Sequence, residues 1–361
     1  MKAAVCYEFG KPLIIEEVTI DPPKKGEVKV KVAATAICHT DIHAIGGEMR
    51  RDLPMVAGHE TSGYIEEVGE DVTGLKPGDP VVVSLVASCG KCYYCLQGLP
   101  HLCEYNWPLN TECRMHNQRG QDLLQLLKVG SFAEEIIVDQ SQAVKIPQDM
   151  PMEQASLLGC GVITGFGAVV NRAAVKPFSR VVVIGTGGVG INSLQGAAFA
   201  GAHPIIAVDV LDAKLEMAKQ FGATHTVNAG QSDAVEAVKK MTGGRGADFV
   251  FITVASIAAI KQGIAMCGAR GLTVIVGVAA GKDNLLLTAG DFMRMERMLT
   301  GCFMGSFNLK LGIPRLIELY QSGRLKLDEL VTARYPLERI NDAIASTERG
   351  EVIRNVIVFN Q

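Results

Sequence analysis

The sequence predicts an α/β chain of two units, a β-rich one first and then a parallel sheet wrapped by helices on both faces. Up to about residue 155, short alternating stretches such as MKAAVCYEF, LIIEEVTI and EVKVKVAATAI are separated by Gly, Pro and Lys. That is the pattern of half-buried strands joined by turns. From about residue 175, apolar runs of strand length alternate with stretches of helical pattern, as they do in a sheet buried on both sides. The turn after the first of those runs reads Gly-Thr-Gly-Gly-Val-Gly at 185–190. At 361 residues the chain is long for a single core, which favours two domains.

Taken in order, GYIEEVGEDV and DPVVVSLVAS continue the strands of the first unit, with LKPGD as the turn between them. The unit reads as a partly open barrel. In the second unit RVVVIG is a strand, the stretch after the Gly-rich turn is a helix through Phe199, and IIAVD is a strand. AKLEMAKQFGA then reads as helix and THTVNA as strand, DAVEAVKKMTG as helix and ADFVFIT as strand, SIAAIKQGIAMCG as helix and GLTVIVGV as strand. The closing segments IPRLIELYQSGRLKLDELV, YPLERINDAIASTERG and VIRNVIVFN read as helix, helix and strand. They are expected to return to the first domain and make it discontinuous.

Composition narrows the function. Apolar residues at 48% and charged residues at 20% are the balance of a soluble globular chain. A formal charge of −3 offers no basic field, so neither nucleic acid nor an anionic membrane is an expected partner. No apolar run approaches the ~18 residues of a spanning helix, and MKAAVCYEFGKPL lacks the apolar stretch of a signal peptide. Ten cysteines in such a chain suggest reduced thiols and metal ligands. The expected compartment is the cytoplasm.

Cys89, Cys92, Cys95 and Cys103 sit close together in sequence. Four thiolates complete a zinc tetrahedron and leave no open position, so this site holds a lobe in shape. Cys38 in AICHTDIH, His59 in AGHE and Cys160 in GCGVITG supply two soft thiolates and an imidazole, a donor set suited to zinc. Three protein ligands and a water make a catalytic site. Asp41 is placed to orient the His59 ring from behind.

In the Gly-rich turn, Gly185 makes the tight bend, Gly187 admits a pyrophosphate, and Gly190 lets helix and strand pack closely. The helix that follows turns free amides toward phosphate charge. Asp209, at the end of the next strand, would accept from the adenosine ribose hydroxyls and repel a 2′-phosphate. NAD is therefore expected rather than NADP.

With these residues assembled, the chain resembles the zinc-dependent medium-chain alcohol dehydrogenases of the medium-chain dehydrogenase/reductase superfamily. The resemblance spans essentially the whole sequence and rests on GHE, the four-cysteine lobe, GCGVITG, GTGGVG and IRNVIVF. It implies a GroES-like catalytic domain over 1–161 with 305–361 and a Rossmann domain over 162–304. It implies two zinc ions per subunit, a catalytic one on Cys38, His59 and Cys160 and a structural one on Cys89, Cys92, Cys95 and Cys103. Glu60 is implied as the acid behind the metal that transiently approaches it, and Thr40 and His43 as the proton relay. His39 and Arg354 are implied to meet the pyrophosphate, along with the loop that includes Gly188. Lys214 joins Asp209 on the ribose, Thr164 and Val189 press against the nicotinamide, and the backbone at Val278 binds its carboxamide. A homodimer or homotetramer formed through the Rossmann sheet is implied as well.

The chain also departs from the family. Leu85 stands where the substrate channel is commonly aromatic, with Trp107 and Pro108 on its wall. Segment 104–130, with Cys113, His116 and Arg119, follows no family pattern. The glutathione-dependent formaldehyde branch has an acid and an arginine where this chain has Met49 and Trp107, which argues against that activity. Arg50 and Arg51 remain available to an anionic substrate. His101, His203 and His225 read as structural or solvated, and Cys6, Cys267 and Cys302 as core. The implied function is reversible oxidation of primary or secondary alcohols, benzylic or medium-chain, to aldehydes or ketones with NAD. A zinc-free double-bond reductase would lack the Cys/His/Cys set. The alternative from another class is a non-catalytic NAD-binding relative with a structural or sensing role.

Overall fold

The computed structural model describes residues 1–49, 51–277, 284–350 and 352–359. The chain divides into two compact units, Met1–Cys160 with Asn308–Gln361, and Gly161–Phe307.

In the first unit, strands Lys2–Cys6, Ile14–Ile20, Met115–Asn117, Asp122–Gln125 and Met55–Val56 close into a barrel. The closing piece is a hairpin from segment 104–130, the stretch that no sequence pattern assigned. Its first strand pairs antiparallel with Ile14–Ile20 and its second runs parallel to Met55–Val56. Arg114 pins the hairpin from its base. Its Nε and Nη2 donate to the two oxygens of Glu27 at 3.0 and 2.7 Å, and Nη2 lies 3.0 Å from Glu112. Burial opposes the charge of Arg114, yet Glu27 and Glu112 outweigh it and its pKa is raised.

A second sheet in this unit runs Ala143–Lys145, Pro80–Val83, Glu60–Val68, Glu27–Ala36, Arg354–Val358 and Val331–Tyr335, with Glu135–Asp139 also on Glu27–Ala36. The sequence reading carried a helix through Val331. In the structure the helix is Leu309–Gln321, and Val331–Tyr335 is a strand parallel to Arg354–Val358. Gly323 at φ +72° ends that helix, as a glycine just past a helix end does. Val5, Val30, Met55, Ile65, Phe132, Ile136 and Ile357 are among the buried side chains that pack the core.

The second unit is a six-stranded sheet in the order His225–Asn228, Ile205–Asp209, Val181–Ile184, Ala247–Ile252, Cys267–Ile275 and Met298–Gly301. Every pair in it is parallel. The central strands are apolar along their length because helices cover both sides. Chain order reverses at Val181–Ile184, and sheets of this kind bind ligands at the carboxyl end of that strand. The strand expected from Gly271 begins earlier, at Cys267, after an irregularity in its pairing with Ala247–Ile252. Among the described residues no helix is long and apolar enough to cross a membrane.

Candidate active site

Strand pairing in the first unit gathers the site. Ala36 lies opposite Glu60 on one side and Val356 on the other, and the Ile37 amide donates to the Asn355 carbonyl at 3.0 Å. The next residue, Cys38, therefore emerges between His59–Glu60 and Arg354. It caps the helix His39–Ile45, and Asp41 in the first turn accepts from the Cys38 amide at 3.2 Å. The other Asp41 oxygen accepts from the Gly58 amide at 2.9 Å and lies 2.8 Å from His59 Nδ1. Only glycine fits before His59: Gly58 has φ +95°, and a Cβ there would lie 2.6 Å from the Phe132 ring.

An ionised carboxylate only accepts, so His59 Nδ1 donates to Asp41 and Nε2 faces the other way. His59 is wholly buried, yet Nε2 has no hydrogen-bond partner. Burial works against a charge on the ring, but Asp41 and Cys38 outweigh it and the pKa is raised well above the usual histidine value. A cation at Nε2 would take the place of the proton that this environment favours.

Cys38, His59, Glu60 and Cys160 each offer a donor atom within 4.8 Å of the others, and all four are buried. The two thiols lie side by side in this cluster. The hydrogen bond between them, with His59 also helping Cys38, lowers the Cys38 pKa well below that of an ordinary thiol and raises that of Cys160 well above it. Both Glu60 oxygens lack a hydrogen bond, and Arg354 Nη2 stands 3.3 Å from Oε1. Burial pushes the Glu60 carboxyl up to about 8, with Arg354 opposing. Two thiols, an unpartnered imidazole nitrogen and a carboxyl at this spacing fit a zinc ion.

The resemblance puts Arg354 on a pyrophosphate, and in the structure its side chain is buried beside Glu60. No local pattern announces this pair, because strand pairing between distant segments creates it. Glu48 was missed too. Its carboxylate lies 2.7 Å from His43 Nδ1, brought back over the helix end by a turn at Gly47 with φ +82°. His39 is exposed, with its ring 6.5 Å from that of His43, and Thr40 is half-buried on the same helix.

The sulfurs of Cys89, Cys92, Cys95 and Cys103 also lie within 4.8 Å of one another, half-exposed and in no disulfide. The amides of Cys89 and Cys92 point at the sulfurs of Cys103 and Cys89, each at 3.3 Å. Backbone amides of Cys95 and Glu104 pull the Cys92 thiol down to about 6, while burial and Cys92 push Cys95 up to about 12. Converging sulfurs that receive backbone amides fit a four-thiolate metal.

In the second unit a Cβ on Gly190 would lie 1.8 Å from the Gly185 carbonyl oxygen, and one on Gly185, at φ +88°, 2.3 Å from Val254. Those two glycines serve the fold. Gly187 faces open space, with nothing within 4 Å of a Cβ there, so the gap it leaves fits a ligand. The helix Gly188–Phe199 starts there with no side-chain cap, leaving first-turn amides for an anion.

Asp209 is already engaged. Its Oδ2 accepts from the Thr186 amide at 2.8 Å and hydroxyl at 2.9 Å, and its Oδ1 from the amides of Val210 and Leu211 at 2.8 and 3.2 Å. Lys214 is half-buried on the helix Asp212–Gln220. A Cβ on Gly165 would lie 2.1 Å from the Val189 carbonyl oxygen, so the helix carrying Thr164 touches the one carrying Val189. Val278 and Arg50 lie outside the described residues.

Leu85 and Met49 are half-buried against the core of the first unit. Trp107 meets Tyr105 edge-on at 4.8 Å in a groove of about 720 Å³ shared with Cys89, Cys95, Lys91 and Lys310. That groove belongs to the four-cysteine lobe, and none of Cys38, His59 and Cys160 lines it.

Residues 24–148 match the alcohol dehydrogenase GroES-like domain and residues 188–322 the zinc-binding dehydrogenase family. The NDMA-dependent alcohol dehydrogenase of Amycolatopsis methanolica is 39% identical over 368 residues, 99% of each chain. The S-(hydroxymethyl)glutathione dehydrogenase of Saccharomyces cerevisiae is 37% identical, over 98% of this chain and 95% of its own. The crystal structure of benzyl alcohol dehydrogenase from Acinetobacter calcoaceticus matches with a TM-score of 0.93 and 35% identity over 99% of both chains. On this likeness over its full length, the chain belongs to the zinc-binding, medium-chain alcohol dehydrogenase family.

Proposed function

We propose that the chain catalyses the reversible oxidation of primary or secondary alcohols by NAD, benzylic and medium-chain alcohols foremost. It would carry one zinc at Cys38, His59 and Cys160 and a second at the four-cysteine lobe. The observation behind this reading is the buried donor cluster around an unpartnered His59 Nε2, in a chain that also carries a dinucleotide loop. When bound, the catalytic zinc would act as a Lewis acid that acidifies the alcohol, and NAD would take the hydride.

The chain's own residues do the rest. Asp41 fixes the ring and tautomer of His59, and Cys38 and Cys160 supply the soft donors. Glu60 offers a further donor whose charge Arg354 offsets, so it can approach or retreat without leaving a bare buried carboxylate. Thr40 accepts the proton of the alcohol as its own passes toward the nicotinamide ribose, and the half-exposed His43, with the Glu48 carboxylate 2.7 Å from its Nδ1, releases a proton to solvent. Gly187 leaves room for the pyrophosphate, the first turn of Gly188–Phe199 receives its charge, and Asp209 faces the adenosine ribose. Thr164 and Val189 are assigned to the nicotinamide, and His39 and Lys214 to the outer parts of the cofactor.

The benzylic preference is supported by the likeness to the Acinetobacter benzyl alcohol dehydrogenase. A glutathione adduct is not proposed, since Met49 packs into the core and Trp107 on the lobe. A non-catalytic relative would have no use for the orphaned imidazole, the relay residues and the loop together. A cytoplasmic homodimer or homotetramer completes the proposal. The test is kcat/KM with NAD and with NADP across benzyl, cinnamyl, medium-chain and ethyl alcohols. Benzylic alcohols with NAD should exceed ethanol. Ethanol as the best substrate would reject the substrate class, and a preference for NADP would reject the cofactor.

A further inference from the structure

An ionised carboxylate offers about four acceptor positions, and Asp209 has all four filled from within the second unit. Three donors are backbone amides, those of Thr186, Val210 and Leu211. They are fixed by the loop and by the chain that directly follows Asp209. The fourth is the Thr186 hydroxyl on Oδ2, the one donor of the set carried on a rotatable bond. Thr186 is 2% exposed, so this hydroxyl is held in place by protein and not by solvent. A ribose hydroxyl arriving at Asp209 must displace a donor, and the Thr186 hydroxyl is the one that can turn away.

We infer that Thr186 determines cofactor specificity. Its hydroxyl occupies the acceptor position on Asp209 that the adenosine 2′-hydroxyl would use, and so blunts the preference for NAD that Asp209 alone would impose. Two effects act in the same direction. The ribose gains only the difference between two similar hydrogen bonds. Four donors around the carboxylate also spread its charge, which weakens the repulsion of a 2′-phosphate, and a Thr186 hydroxyl swung off Asp209 is a donor that such a phosphate can accept. This rests on the proposed dinucleotide site.

The experiment is equilibrium binding of NADH and of NADPH to the purified protein without alcohol, followed by nucleotide fluorescence. It compares wild type with Thr186→Val and Thr186→Ser, with thermal melts alongside. Thr186→Val keeps the shape and the backbone amide but removes the competing hydroxyl. NADH should then bind about tenfold tighter, the worth of one hydrogen bond to a charged group, with NADPH unchanged or weaker. Thr186→Ser should keep the wild-type ratio. Should the Val variant unfold, Thr186→Ala reads the same loss of the hydroxyl. A ratio that stays put or falls on removing the hydroxyl, or a Ser variant that behaves as Val does, would overturn the inference while leaving the dinucleotide site standing. Wild-type protein that binds neither nucleotide would bring down both.

Discussion

Cys160 is the residue that most sharply separates chemistry from fold. It follows the helix Met152–Leu157 and offers its sulfur to Cys38 and His59 in a buried cluster. Cys160→Ser should lower the zinc content by one ion. It should cut kcat/KM by more than about 100-fold, beyond what losing an outer partner of a ligand costs, with a melting temperature near wild type. Elemental analysis with two zincs and near-normal turnover in the variant would remove Cys160 from the site. At this scale the sequence was informative because metal chemistry admits few donor types, and GHE and GCGVITG carry them with their neighbours. It was uninformative about Arg354, whose partner Glu60 is distant in the chain, and about the full shell of Asp209, which depends on how the loop at Thr186 closes.

The four-cysteine lobe acts at the level of an element. Its four sulfurs belong to Cys89, Cys92, Cys95 and Cys103, in a loop whose only regular pieces are the short turns Tyr93–Leu96 and Pro100–Leu102. Tyr93 and Leu96 are largely exposed, so apolar packing does little to hold it. A structural metal then contributes folding energy directly. Cys95→Ala should release one zinc and lower the melting temperature by at least about 5 °C, the scale of a loss of a few kcal/mol in a domain of this size. Turnover should fall only as the protein unfolds, and a variant of full stability with immediate loss of turnover would exchange the roles given to the two zinc sites. Elements were legible where the pattern is local, as in the alternating runs from RVVVIG onward. The hairpin Met115–Asn117 with Asp122–Gln125 was not. Its strands are short, and what seats it is the buried pairing of Arg114 with Glu27, a contact across the unit that no window of sequence contains.

For the whole molecule, the candidate metal donors belong to the first unit and the Gly-rich loop to the second. The donors come from Cys38, His59, Glu60 and Cys160, and the loop from Gly185 to Gly190. The two-unit architecture was readable from the change of rhythm along the chain, and the closing strand from the pattern of VIRNVIVFN. Barrel closure and the strand Val331–Tyr335 came only with the structure. The central claim is that the buried Cys/His/Cys cluster is a zinc centre that makes the chain an NAD-dependent alcohol dehydrogenase. Its most direct test is NADH formation from benzyl alcohol by the purified protein, before chelation, after chelation and after zinc is returned, with metal content measured at each stage. Turnover should be lost with the catalytic zinc and come back with it. Full-rate oxidation by protein shown to be free of metal, or no reduction of NAD by any alcohol in the zinc-loaded protein, would contradict it.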